Sequence, residues 1–209
     1  DISLIKVDNA RLGLLKAINL IYRSDSGVIK KGAIGLGLDK GEFTHISQDC
    51  IIGDNVSIGS NCSILDGSVI GNNVQISNNV VIQNGSMIGD NTIIQSGAII
   101  GSDGFGTVED NHRNINFPHI GKVIIEKDVW IGSNTTIDRG SIGNTIIKDN
   151  SKLDNLIQIA HNVLIGKSCL IASGVAIAGS TSIGDNVSIG GQVGITGHLS
   201  IGNNTIIGA

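Results

Sequence analysis

Isoleucine recurs at every sixth position along most of this chain. From Ile46 the series runs through Ile52, Ile58, Ile64, Ile70, Ile76, Ile82, Ile88, Ile94 and Ile100 without a miss. It breaks across residues 101–122, resumes at Ile125, Ile131 and Ile137, shifts near Gly143, and continues from Ile147 through Leu153 and Ile159 to Ile207. A period of six belongs neither to a helix nor to a long alternating strand. The residue two before each isoleucine is mostly small or β-branched, as at Cys50, Val56, Cys62, Ser68 and Val74. In extended chain those two positions share a face, and the residue between them points away. Glycine often follows the isoleucine, as at Gly53, Gly59, Gly71 and Gly89, and reads as the residue that permits a corner. Each hexapeptide is therefore predicted to be a short strand and a bend, which buries its isoleucine only when coils of chain stack. Residues 10–22 are predicted as a short amphipathic helix, and residues 23–45 as a linker or irregular first coil.

Composition agrees with a core filled by aliphatic side chains alone. Of 209 residues 30 are glycine, aromatics make up 2% and charged residues 15%, and the mean hydropathy is +0.23. The sequence has no apolar run of about 18 residues, so no transmembrane helix is expected. A net charge of −4 with so few aromatics disfavours a nucleic-acid surface. Cys50, Cys62 and Cys169 are odd in number and form no CxxC pair, which suggests neither a disulfide framework nor a structural zinc. All three fall in the small inward slot and read as buried, inert thiols of a reduced, cytoplasmic protein. The chain opens at Asp1 rather than methionine and is read as a piece of a longer protein. Arg11–Tyr22 has some likeness to a signal sequence, but Lys16 interrupts it and no small-residue cleavage site follows.

The repeats resemble the hexapeptide-repeat transferase superfamily, which implies an all-β fold, a left-handed parallel β-helix with three hexapeptides per coil. The handedness and the number three come from that resemblance, since crossover statistics alone favour the right-handed form. The chain holds about 24 such hexapeptides, or about eight coils, with a short N-terminal helical segment and one long insertion. The breaks are the informative places. Residues 101–122 hold Phe105, Phe117, His112, His119 and the only proline, Pro118. A break of this length in a solenoid reads as functional, with a tolerated insertion as the alternative. His161 follows Ile159 by two and so stands at a corner. One coil, 18 residues, further on lies Gly179, and then Gly197, while the adjacent column holds Asn162, Ser180 and His198. An imidazole beside a bare glycine N–H offers the proton acceptor and the donor that acyl transfer needs. Taken alone, a corner histidine is more often just a surface histidine. His161 and His198, two coils or roughly 10 Å apart, are too distant to share a metal within one chain, and no metal is expected. Asp154, seven residues before His161, can support an imidazole or be a solvated turn aspartate. Trp130 faces outward and reads as a subunit contact.

The stretch from Gly101 to Gly202 is similar to the UDP-3-O-acylglucosamine N-acyltransferase family of lipid A biosynthesis. The likeness rests on SDGFG (102–106), FPHIGKVII (117–125), TTIDRG (135–140), LDNLIQIAHNVLIG (153–166), VAIAGS (175–180) and GHLSIG (197–202). It implies transfer of an (R)-3-hydroxyacyl chain from the phosphopantetheine of acyl carrier protein to the 2-amino group of a UDP-sugar lipid, without a bound cofactor. It implies His161 as general base, Asp154 as its support, Gly179 as oxyanion donor and His198 as an auxiliary residue. Asn162 and Phe105 are expected to contact substrate. It further implies a homotrimer, with residues 1–24 the tail of a uridine-binding domain and residues 25–209 the β-helix. The competing expectations are another hexapeptide acyltransferase (sugar O-acyl or N-acetyl transfer), a γ-carbonic-anhydrase-like zinc protein, and a purely structural β-helix.

Overall fold

In a computed structural model, which describes residues 6–23 and 32–209, the chain winds as a left-handed parallel β-helix. Its short strands stack into three parallel sheets of nine, nine and eight strands. We call these the first, second and third sheets after their opening strands, Ala33–Ile34, Asp39–Lys40 and His45–Ile46. Partners in a sheet lie 18 residues apart, as in Ile34 with Ile52 and Ile46 with Ile64. Every sixth residue thus enters a new sheet, and every eighteenth returns to the same column.

The isoleucines at the sixth positions form one continuous buried core from Ile52 to Ile195. Ile58 is 2% exposed, whereas Ser57, the residue before it in the same strand, is half-buried on the outer face. Ile58→Ala is expected to cost about 2–5 kcal/mol through the cavity it leaves, and Ser57→Ala to stay within about 0.5 kcal/mol; denaturant unfolding measures both. The three cysteines are buried with the isoleucines, their thiols aimed at backbone carbonyls such as Ser77 and Gly184.

Two expectations change. The helix stack begins earlier than Ile46, because Ala33–Ile34 and Asp39–Lys40 already pair with the strands one coil on. Lys40 occupies an isoleucine position and turns its ammonium to the Thr44 carbonyl at 3.0 Å. The part of the expected linker from 24 to 31 lies outside the described residues. The second change concerns the corners. The glycine after the isoleucine has an ordinary φ except at Gly101 (φ 91°), where the first break begins. The left-handed residue is the third after the isoleucine, at Asn55, Asn61, Asn73, Asn91 and Asn162, for example. Asparagine tolerates that region better than other side chains. The glycine is needed instead because the next coil passes too close: a methyl group on Gly53 would stand 2.7 Å from the Gly71 carbonyl carbon.

Both breaks in the repeat fall on one edge of the prism, the edge from the third sheet to the first. Across the first, Ile88 pairs with Ile125, and across the second, Ile125 pairs with Ile147. The first break folds into an antiparallel hairpin, Thr107–Asp110 with Arg113–Asn116. The helix Ala10–Arg23 packs on it, burying Leu15 and Ile18 against Val108 and Phe117.

Candidate active site

His161 lies on the same edge, between the third-sheet strand Gln158–Ile159 and the first-sheet strand Leu164–Ile165. Gly179 and His198 follow third-sheet strands one and two coils further along. The vertical alignment expected from the spacing is present: the Ser180 N–H donates to the His161 carbonyl at 3.0 Å, and the His198 N–H to the Gly179 carbonyl at 3.1 Å.

The His161 ring lies directly against Gly179. A methyl group there would stand 2.7 Å from both Cε1 and Nε2. The ring is fixed from behind, since Nδ1 is 3.0 Å from Asn162 Oδ1. That oxygen also receives the Ser141 N–H at 3.0 Å and the Ser141 hydroxyl at 2.8 Å. A backbone N–H can only donate, so the atom it meets is the amide oxygen, an acceptor. Nδ1 must therefore carry a proton, so the tautomer of the neutral ring leaves its lone pair on Nε2, the nitrogen that faces Gly179. Asn162, expected to touch substrate, also sets the tautomer of His161. Its left-handed backbone (φ 61°) and the Thr145 hydroxyl, which accepts the Asn162 N–H at 2.9 Å, hold it at the corner. The Gly179 N–H donates to no protein acceptor among the described residues.

Asp154 does not join this group. It follows the second-sheet strand Lys152–Leu153 and stands exposed at the preceding edge, beside a hollow of about 420 Å³ that also touches Trp130 and Leu170. Seven residues from His161 is one corner away, and an edge is shared only by residues whole coils apart. The carboxylate that feels the charge of His119 and His161 is Asp138, at the end of the third-sheet strand Thr136–Asp138. It is 8% exposed and accepts from the Ser102 hydroxyl and the Gln158 amide, both at 2.9 Å. Burial pushes its carboxyl above the ordinary 3.8, against the pull of those bonds and of His119 and His161.

His119, from the insertion, was not singled out. It is 7% exposed, and its ring meets that of His161 edge-on, with centroids 5.2 Å apart. Burial, then the neighbouring His161, lowers its pKa below 6.5, so it is neutral at pH 7. The SDGFG loop closes over both rings: methyl groups on Gly104 would stand 2.8 Å from His119 Nε2 and 2.9 Å from His161 Cβ. Arg139 ties down the base of that loop, donating from Nε to the Gly101 carbonyl at 2.7 Å and from Nη2 to the Asn84 carbonyl at 3.1 Å. Phe105 between the two glycines is 91% exposed and does not line the cavity with the rings; the phenyl group that does is that of Phe117, 9% exposed. His119, His161 and His198 share a cavity of about 370 Å³ with Phe117. Among the described residues no group of three histidine, cysteine or carboxylate side chains converges as a metal site.

Two family models match the repeats: "Bacterial transferase hexapeptide (six repeats)" over residues 67–102 and "Hexapeptide repeat of succinyl-transferase" over residues 122–155. A UDP-3-O-acylglucosamine N-acyltransferase of Fusobacterium nucleatum is 61% identical over 70 residues, 34% of this chain and 21% of the relative. UDP-3-O-acylglucosamine N-acyltransferase 2 of Legionella pneumophila is 58% identical over 69 residues, 33% of this chain and 20% of the relative. These matches thus span about a fifth of the length of the curated relatives. Among solved structures, UDP-N-acetylglucosamine acyltransferase from Campylobacter jejuni has the same fold, with a TM-score of 0.59 at 23% identity over 85% of this chain and 61% of that one. By repeat and fold the chain is a hexapeptide-repeat β-helix protein, similar over a third of its length to UDP-3-O-acylglucosamine N-acyltransferases.

Proposed function

We propose that this chain carries the catalytic β-helix of an N-acyltransferase. It moves an (R)-3-hydroxyacyl group from the phosphopantetheine thioester of acyl carrier protein to the 2-amino group of UDP-3-O-acylglucosamine, in lipid A biosynthesis. The observation that carries this reading is the His161 ring, its Nδ1 bonded to Asn162 Oδ1, held against Gly179, whose N–H has no protein acceptor among the described residues. The amine attacks the thioester carbonyl, and Nε2 takes the proton released as the C–N bond forms. The Gly179 N–H meets the oxyanion of the tetrahedral intermediate. The C–S bond then breaks, and the proton passes from His161 to the departing thiolate. No step requires a cofactor. Asp138 supplies the negative charge that favours the transient imidazolium, the part first given to Asp154.

In this reading residues 1–24 are the tail of a uridine-binding domain, and the partners are acyl carrier protein and two further copies of the chain. The flat second-sheet face that exposes Trp130, Leu170 and Ile206 suits such self-association. No helix among the described residues is long and apolar enough to cross a membrane, which suits a cytoplasmic enzyme.

The test is to incubate the protein with 3-hydroxyacyl carrier protein and UDP-3-O-acylglucosamine and to identify the product by mass spectrometry. An amide-linked acyl chain with release of the carrier thiol is expected. An ester product, or use of acetyl-coenzyme A in place of the carrier thioester, would contradict it.

Asp138 gives a separable expectation. Its folded-state pKa is raised, so the folded protein binds this proton more tightly than the unfolded chain, and ionisation costs stability once the pH exceeds the ordinary carboxylate value. Asp138→Asn is expected to be at least as stable as the parent at about pH 8 and to lose that margin below about pH 4. Turnover should nevertheless fall about tenfold, the equivalent of one pKa unit of lost charge interaction. Thermal unfolding across pH and steady-state rates read the two effects apart.

A further inference from the structure

The cavity on the catalytic edge has one wall that does not come from the β-helix. The helix Ala10–Arg23 reaches it through Arg11 and Leu14. Arg11 is the only side chain lining the cavity that carries a fixed charge. Its guanidinium sits 5.9 Å from the centroid of the Phe117 ring, which is itself buried. Ring and cation attract at that distance, and Leu15 and Ile18 lock the same helix onto the insertion. The cation is therefore positioned in advance beside the three histidines.

Its bonding capacity is unspent. Arg139, the other arginine of this region, uses its guanidinium on the Gly101 and Asn84 carbonyls and lies 3.7 Å from the Asp103 carboxylate. Arg11 makes no ion pair and no side-chain hydrogen bond among the described residues. A planar fork of donors facing a cavity without a carboxylate is complementary to a phosphate, which it can bind through two parallel bonds.

We infer that Arg11 binds a phosphate group of the substrate at the mouth of this cavity. The inference rests on the acyl-transfer reading only for the source of that phosphate. The sugar nucleotide brings a diphosphate, and the carrier arm brings a phosphodiester.

Binding of four probes to the full chain tests it by calorimetry, without turnover: inorganic pyrophosphate, UDP-N-acetylglucosamine, 4′-phosphopantetheine and uncharged N-acetylglucosamine. Arg11→Met keeps an aliphatic stem on Phe117 and removes the charge; Arg11→Lys keeps the charge. Arg11→Met is expected to weaken pyrophosphate binding about ten- to hundredfold, to leave N-acetylglucosamine unchanged, and to retain the parent helix content by circular dichroism. Arg11→Lys should recover part of the loss. The same loss for UDP-N-acetylglucosamine assigns the site to the nucleotide diphosphate, and for 4′-phosphopantetheine to the carrier arm. Parent-like pyrophosphate binding by Arg11→Met, or no measurable binding by the parent, overturns the inference. Arg11-dependent pyrophosphate binding in a protein that transfers no acyl group would overturn the acyl-transfer reading and leave the phosphate site standing.

Discussion

Gly179→Ala is expected to lower kcat about a hundredfold while leaving the fold intact. The backbone at Gly179 has no left-handed φ, so alanine imposes no conformational strain there. The alanine also keeps the amide N–H, and so the donor to the oxyanion survives. What the added methyl group meets is the imidazole of His161, 2.7 Å from Cε1 and Nε2. The ring must move, and its surroundings resist. Asn162 Oδ1 holds Nδ1, the His119 ring abuts one side, and the Gly104 backbone lies against Cβ. A displacement of about 1 Å in a reacting group costs on the order of a hundredfold in rate. Steady-state kinetics with a thermal melt close to that of the parent would show the effect to be local.

His161→Ala is expected to reduce turnover by about 10²- to 10⁴-fold, the usual contribution of a positioned general base. His119 is a poor substitute: its ring is buried, and the burial that lowers its pKa disfavours the imidazolium that a base must become. Stability should change by about 1 kcal/mol or less. Asn162 Oδ1 keeps both donors from Ser141 after the imidazole is gone, and so the corner holds. Turnover assayed beside a chemical melt separates loss of the base from loss of the fold.

The repeat made most of this arrangement legible. An aliphatic residue at every sixth position is buried by stacking coils, and the three hexapeptides per coil that the family resemblance implied then put His161, Gly179 and His198 on one edge. The same count shows why Asp154 misled. A separation of seven carries the chain past one full side of the prism, so nearness in sequence became distance between edges. Asp138, the carboxylate proposed in its place, was within reach of the counting. With the four extra residues of the second break included, its column is that of Ala160, one rung before the base. The bond from Asn162 to His161 was not foreseen, because the tautomer it favours depends on Ser141 from inside that break. His119 and Arg11 were beyond any periodicity. One sits in an insertion and the other on a helix, and their positions follow from packing of Phe117, Leu15 and Ile18 rather than from register. The first two strands were hidden for a related reason. They lie at the end of the described stack, where Ile34 is 62% exposed and Lys40 can replace an isoleucine without being buried.

The proposed mechanism makes the imidazole at 161 and the glycine at 179 one unit, and a double-mutant cycle on single-turnover acyl transfer tests that most directly. In the His161→Ala background the methyl group of Gly179→Ala has no ring to displace. The double variant is therefore expected to transfer acyl groups no more slowly than His161→Ala alone, so that the two losses fail to multiply. A double variant slower by the full product of the single losses, or a His161→Ala protein with the turnover of the parent, would contradict the assignment.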